Sequence, residues 1–201
     1  LFAAMDRWVT DGTEPPPSVL PRVSDGTLLP WVADAVGWTA LPGVTYPTVI
    51  QQPEFLNYGE AFDRYRRIDQ HPPVRTGKRY GVRVPALDPD NNERGVLRLP
   101  RVGVPVATYT GWNLRNPRIG APTELLDLNG SRIPFPATAE ERTRTQDPRA
   151  AVTERYDGFA DYKARYLTVG EQLVADRYLL PEHLPGLEAI ADDQRSLFAD
   201  Q

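Results

Sequence analysis

The sequence predicts an α+β chain with much irregular, proline-rich structure, in which a leading helix, a wrapping arm, a small antiparallel hairpin sheet and a closing antiparallel helix pair follow one another. Three observations carry that prediction. The 21 prolines are about twice the roughly 5 % of an average chain, and each fixes φ and removes a backbone donor. Tyr80, Val82 and Val84 alternate with Arg79, Gly81 and Arg83, the period of a strand. Phe159, Tyr162, Tyr166, Val169 and Leu173 step by three and four residues, the period of a helix with one apolar stripe.

Residues 1–12 form the leading helix: Leu1, Met5, Trp8 and Val9 share a face, and Asp11-Gly12 with the prolines from Pro15 onward stop it. It opens on Leu1 without a cap, which reads as a helix that follows something else in a longer parent. Residues 13–77 show neither period. Turn signals such as Ser24-Asp25-Gly26 and Pro42-Gly43 lie among scattered aromatics, the composition of an arm laid along a preformed surface, with one short strand or helix near Glu54 to Tyr65. Residues 78–110 hold the hairpin: the alternation up to Val84, the turn cluster Asp88 to Asn92, a second run at Val96, Leu97 and Leu99, and then a further strand over Val102 to Thr108. Residues 111–146 read as proline-rich loop. In residues 147–201, Asp147-Pro148 stands as N-cap and first position of a short helix to about Tyr156. After the Phe159 to Leu173 stripe, Leu184, Leu187, Ala191 and Phe198 define a second long helix, and a short connection packs the two antiparallel.

Composition removes several function classes. Acidic residues number 27 against 23 basic ones, the opposite of the basic footprint that nucleic acid requires. No run of 18 apolar residues offers a membrane span. The opening residues do not match a secretory leader, and localisation stays open, since a longer parent can be secreted. Without cysteine there is no disulfide, no thiolate nucleophile and no Cys-based zinc site. No cofactor is implied.

Candidate chemistry is sparse. A serine hydrolase presents its nucleophile on a strained Gly-x-Ser-x-Gly elbow, and Ser18, Ser24, Ser131 and Ser196 all lie outside such a context. Only His71 and His183 offer imidazoles, neither with a second ligand at a metal-binding interval. Asp88, Asp90 and Asn92 alternate along one loop and, with Glu93, offer oxygens to a hard cation such as calcium, while the same residues suit a plain turn. Asn129-Gly130-Ser131 has the form of a glycosylation sequon. The densest polar and aromatic cluster runs from Thr108 to Pro117: Tyr109 and Trp112 read as an apolar wall for a substrate, with Asn113 and Arg115 as donors to its carbonyl or carboxylate, or else the four residues lock a loop.

Leu1 to Ser18, Pro21 to Leu28, Val84 to Asp88, Arg98 to Pro100 and above all Val104-Pro105-Val106-Ala107-Thr108-Tyr109-Thr110-Gly111-Trp112-Asn113 resemble the C-terminal region of the bacterial alpha/beta hydrolase domain family, and the likeness continues through Gly120-Ala121-Pro122, Ile133 to Pro136 and the final helices. The resemblance implies that this is the C-terminal portion of an α/β-hydrolase-like protein whose serine elbow, acid and histidine lie upstream. Its first helix is then the last helix of the hydrolase core, and no catalytic residue is carried over. The implied partners are that upstream core and, for the parent, a small-molecule ester; self-association is the further expectation. The competing reading is a freestanding binding module, with no catalytic activity, that uses Trp31, Trp38, Tyr46 and Trp112 for a carbohydrate or protein partner.

Overall fold

The computed structural model describes residues 1–198. Helix α1 (Phe2–Asp11) ends at Gly12, whose φ of 76° is left-handed and whose N–H donates to the Trp8 carbonyl, the usual use of glycine at a helix C-terminus. Along the arm come β1 (Leu28–Pro30), α2 (Ala33–Val36), β2 (Glu54–Asn57), α3 (Glu60–Tyr65) and β3 (Val74–Arg79). These elements are three to six residues long, too short to print a period on the sequence. The stretch from Glu54 to Tyr65, read as a strand or a helix, is both in succession.

The predicted hairpin does not form. The alternating residues divide between two sheets: β3 pairs with β2, placing Arg79 opposite Glu54, while β4 (Arg83–Pro85) pairs with β1, placing Val84 opposite Leu29. Beyond the turn, Leu87 and Glu93 form one isolated bridge and the second run leads into α4 (Pro100–Gly103). The reason is local. The Asp88 carboxylate accepts from the N–H groups of Asp90 and Asn92, which curls the turn on itself. Arg98 then donates to Asp88 at 2.7 Å and to the Val102 carbonyl at 2.8 Å, pulling the returning chain out of strand register. Pro100 starts α4 at a position where its missing N–H costs nothing, so the strand expected from Val102 begins only at Ala107.

That strand, β5 (Ala107–Thr110), pairs antiparallel with β6 (Ser131–Pro134), with Thr108 opposite Ile133. Residues 111–146 therefore carry more than loop: β6 is followed by α5 (Ala139–Thr145), capped by the Thr138 side chain accepting from the Glu141 N–H, with Glu141 accepting from the Ala137 N–H. The predicted helix start at Asp147 is also displaced. Helix α6 is Val152–Arg155, because Asp147 instead holds the N–H and guanidinium of Arg149.

The closing pair is α7 (Phe159–Ala175) and α8 (Leu184–Asp192). Contacts run in opposite order along them, Lys163 reaching Glu188 and Asp192 while Gly170 sits against Leu184 and Leu187, so the pair is antiparallel. A Cβ at Gly170 would stand 2.6 Å from Leu187 Cδ1, and its absence lets the helices approach. The apolar core gathers Val104, Val106, Phe135, Tyr156, Tyr162, Tyr166 and Phe198. Burial pushes the Tyr156 phenol up to about 12, and its hydroxyl donates to the Pro105 carbonyl at 2.7 Å.

The arm joins this body through the Asp88 to Asn92 turn. Asn91 and Asn92 are 1 % and 0 % exposed. The Asn91 amide donates to the Thr39 carbonyl and accepts from the Thr39 N–H, at 2.8 and 2.9 Å. Asn92 donates to the Ala107 carbonyl at 3.2 Å and accepts from the Tyr109 N–H at 2.8 Å, serving β5 as a missing neighbour strand would. Asp90 forms a two-pronged ion pair with Arg155, and its carbonyl accepts from the Thr108 hydroxyl. Asn92→Ala leaves a buried donor and acceptor of β5 unpaired at a cost of about 1–3 kcal/mol each. Urea unfolding should register a loss of about 2–4 kcal/mol, far above that of an exposed control such as Gln51→Ala.

Candidate functional site

One cavity stands out by its walls. Of about 270 Å³, it lies where the arm, the Asp88 to Asn92 turn and the end of β5 meet. The arm contributes Trp31, Trp38, Tyr46 and Ile50; β4 contributes Val84; Trp112 closes it from beyond β5. The four aromatics that the sequence offers for a binding surface are thus brought together.

Three of them touch. The ring centroids of Trp38, Tyr46 and Trp112 lie 5.3 to 5.6 Å apart, tilted or edge-on, the geometry that aromatic quadrupoles favour. Each is held from outside the ring cluster. The Tyr46 hydroxyl donates to the Trp31 carbonyl at 2.6 Å, and burial pushes its phenol up. The hydroxyls of Thr110 and Ser131 donate to the Trp112 carbonyl at 2.5 and 3.0 Å. Trp38 precedes Thr39, the residue clasped by Asn91.

Of the predicted substrate-lining residues, Tyr109 and Trp112 border this cavity, whereas Asn113 and Arg115 are not part of its lining. Asn113 accepts from the Leu126 N–H through its carbonyl at 2.8 Å. Arg115 donates to the carbonyls of Gly120 and Ile119 at 3.1 and 3.3 Å within its own loop. Tyr109 also lies within electrostatic reach of Tyr162 and Tyr166 in the core.

The oxygens proposed for a cation are engaged elsewhere. Asp88 holds two N–H groups and Arg98, Asp90 holds Arg155, and Asn92 holds β5. Among the described residues no group of three His, Cys, Asp or Glu side chains gathers to bind a metal. Glu93, the next residue, turns to the cavity. No hydrogen bond or ion pair engages its carboxyl among the described residues, the lining contains no Lys, Arg or His, and desolvation holds its pKa above the ordinary value.

His71 and His183 are both exposed, as are Ser18, Ser24 and Ser196, and Ser131 spends its hydroxyl on Trp112. No serine–histidine hydrogen bond forms among the described residues. The profile of the alpha/beta hydrolase domain family matches residues 1–188. The chain belongs to the alpha/beta hydrolase domain family. No curated protein and no solved structure matches it. The hydrolase elbow of that superfamily rides on a sheet with a strand-to-helix turn, whereas the sheets described here are three antiparallel pairs. No helix of the described residues is long and apolar enough to cross a membrane.

Glu93 gives this family member a pH signature. Its pKa is raised in the folded chain, so at low pH both states hold the proton. As pH rises past the ordinary carboxyl range the unfolded chain releases it first, and stability falls until the folded pKa is passed. Glu93→Gln removes that loss. Thermal melts of the two chains should coincide near about pH 4 and separate by a degree or two in favour of the variant at about pH 8.

Proposed function

We propose that this chain is the non-catalytic C-terminal part of a serine hydrolase acting on carboxylic esters, and that it buttresses or covers an active site located upstream. The observation that carries the reading is α1. Ala3, Ala4 and Arg7 border a shallow pocket shared with Val174 and Leu180, so one side of the helix meets the body. At 3.6 residues per turn, Leu1, Phe2, Met5, Trp8 and Val9 fall on the other side, and no residue of α1 is buried. Phe2 is 89 % exposed and Val9 82 %. Covering such side chains yields about 1.5–3 kcal/mol each, and in this reading an upstream hydrolase core would cover them.

In such a parent, the serine attacks the ester carbonyl, the alcohol leaves, and water releases the acyl group. The serine, its histidine and the oxyanion donors would all come from the core. This chain would set access and hold the core's last helix in place. A second reading, a freestanding binding module, is favoured by the cavity, which gathers Trp31, Trp38, Tyr46 and Trp112.

A fluorophosphonate probe separates the two. It should label a chain extended upstream and leave the 201 residues unlabelled; labelling of the 201-residue chain sinks the proposal. In the extended chain, Phe2→Lys with Val9→Lys should lower the melting temperature by about 5 °C or more, and in the shorter chain the same pair should reduce self-association in sedimentation. A shorter chain that is monomeric before and after the change would favour the module.

A further inference from the structure

The cavity beside Glu93 has a composition that selects its guest. Its volume of about 270 Å³ falls just under the roughly 300 Å³ at which sites for drug-sized molecules begin, room for one ring and a short chain. Three of its polar side chains are already committed: the Asn91 amide to Thr39, the Tyr46 hydroxyl to the Trp31 carbonyl, the Thr110 hydroxyl to the Trp112 carbonyl. The Glu93 carboxyl has no partner among the described residues and no cationic residue in the lining to face. Gly111 stands beside it, with the position of a Cβ there at ordinary contact distance, 3.7 Å, from Glu93 Oε1.

An acid set among aromatic and aliphatic walls without a counter-charge is costly as a carboxylate, and the complement that offsets the cost is a cation with an apolar body. Ring faces attract cations, and an ammonium donates charge-assisted hydrogen bonds to a carboxylate. An anion meets repulsion in the same place, and a neutral alcohol forgoes the ion pair. The rings of Trp38, Tyr46 and Trp112 touch each other, so they form one continuous wall for the apolar body, with the charged end directed to Glu93.

We infer that the cavity is a binding site for a small organic monocation, an arylalkyl or alkyl amine, with its ammonium paired to Glu93 and its body against Trp38, Tyr46 and Trp112. The residues that this assignment uses all lie in this chain, so its test does not depend on where the parent keeps its nucleophile.

Three probes of similar size test it: 2-phenylethylammonium, 2-phenylethanol and phenylacetate, titrated into the chain by calorimetry and by tryptophan fluorescence, to which Trp31, Trp38 and Trp112 of the four tryptophans report from the lining. The amine should bind on the order of tenfold or more tighter than the alcohol, and phenylacetate weakest. Glu93→Gln, which breaks no hydrogen bond, should erase the amine's advantage and leave the alcohol unchanged; Trp112→Ala should weaken both. Failure of all three probes to bind, equal binding of amine and alcohol, or an amine preference that survives Glu93→Gln overturns the assignment. Were the Gln variant to misfold, the comparison of the three probes on the unaltered chain decides alone.

Discussion

Two side-chain amides that cannot be left unpaired, those of Asn91 and Asn92, hold the arrangement together. Buried amides cost far more when unsatisfied than they gain when satisfied, so their partners are fixed. One asparagine clasps both backbone groups of Thr39 in the arm; the other supplies β5 with the donor and acceptor of an absent strand. Between them and the Asp90 to Arg155 pair, one five-residue turn binds arm, sheet and C-terminal helices. Trp38 beside Thr39, Tyr109 on β5, and Glu93 at the end of the turn are then all placed by the same few bonds.

Next to this polar clasp runs a cationic one. Arg149 is 3 % exposed, and its guanidinium spends its donors on Asp147, Thr108 and the carbonyls of Ile133 and Pro134. Burial pushes the Asp147 carboxyl up, but the hydrogen bonds and charge of Arg149 outweigh it and hold that carboxyl below its ordinary range. Arg155 lies over the Phe135 ring at 4.2 Å and Arg149 at 5.0 Å. A buried pair of this kind contributes little net stability compared with an apolar substitute. Through the carbonyls of Ile133 and Pro134 it ties β6 to the segment that leads into α6.

Strongly periodic segments are legible: the stripe of α7, the glycine stop of α1, and the start of α8, which ends at Asp192 and leaves Phe198 in a separate 3-10 turn. The hairpin was not, because alternation in Arg79 to Val84 records which side chains face inward and says nothing about which strand lies alongside; the partners were β1 and β2, some fifty and twenty-five residues back. Asp147 has the pattern of a cap, but its carboxylate holds Arg149, whose other partners on β5 and β6 do not show in local pattern. The cap of α5 was visible in principle, since Thr138 and Glu141 have capping-box spacing. At the site, Tyr109 and Trp112 were found as aromatics at a strand end, and Trp31, Trp38 and Tyr46 as a separate surface. That they share one cavity with Glu93 depends on the asparagine clasp, which read as an ordinary turn.

The residues of the main core cluster all lie from Val104 onward, while α1 and the arm precede them. Ribosomes deliver chain from the N-terminus at about 5–20 residues per second, so the arm waits on the order of ten seconds before the surface that it leans on exists. During that interval its prolines matter in another way: they keep it extended and poor in backbone donors, a segment that resists premature pairing with itself or with its neighbours. The irregular composition that makes the arm look featureless thus suits a part that is made before the core cluster that follows it in the sequence.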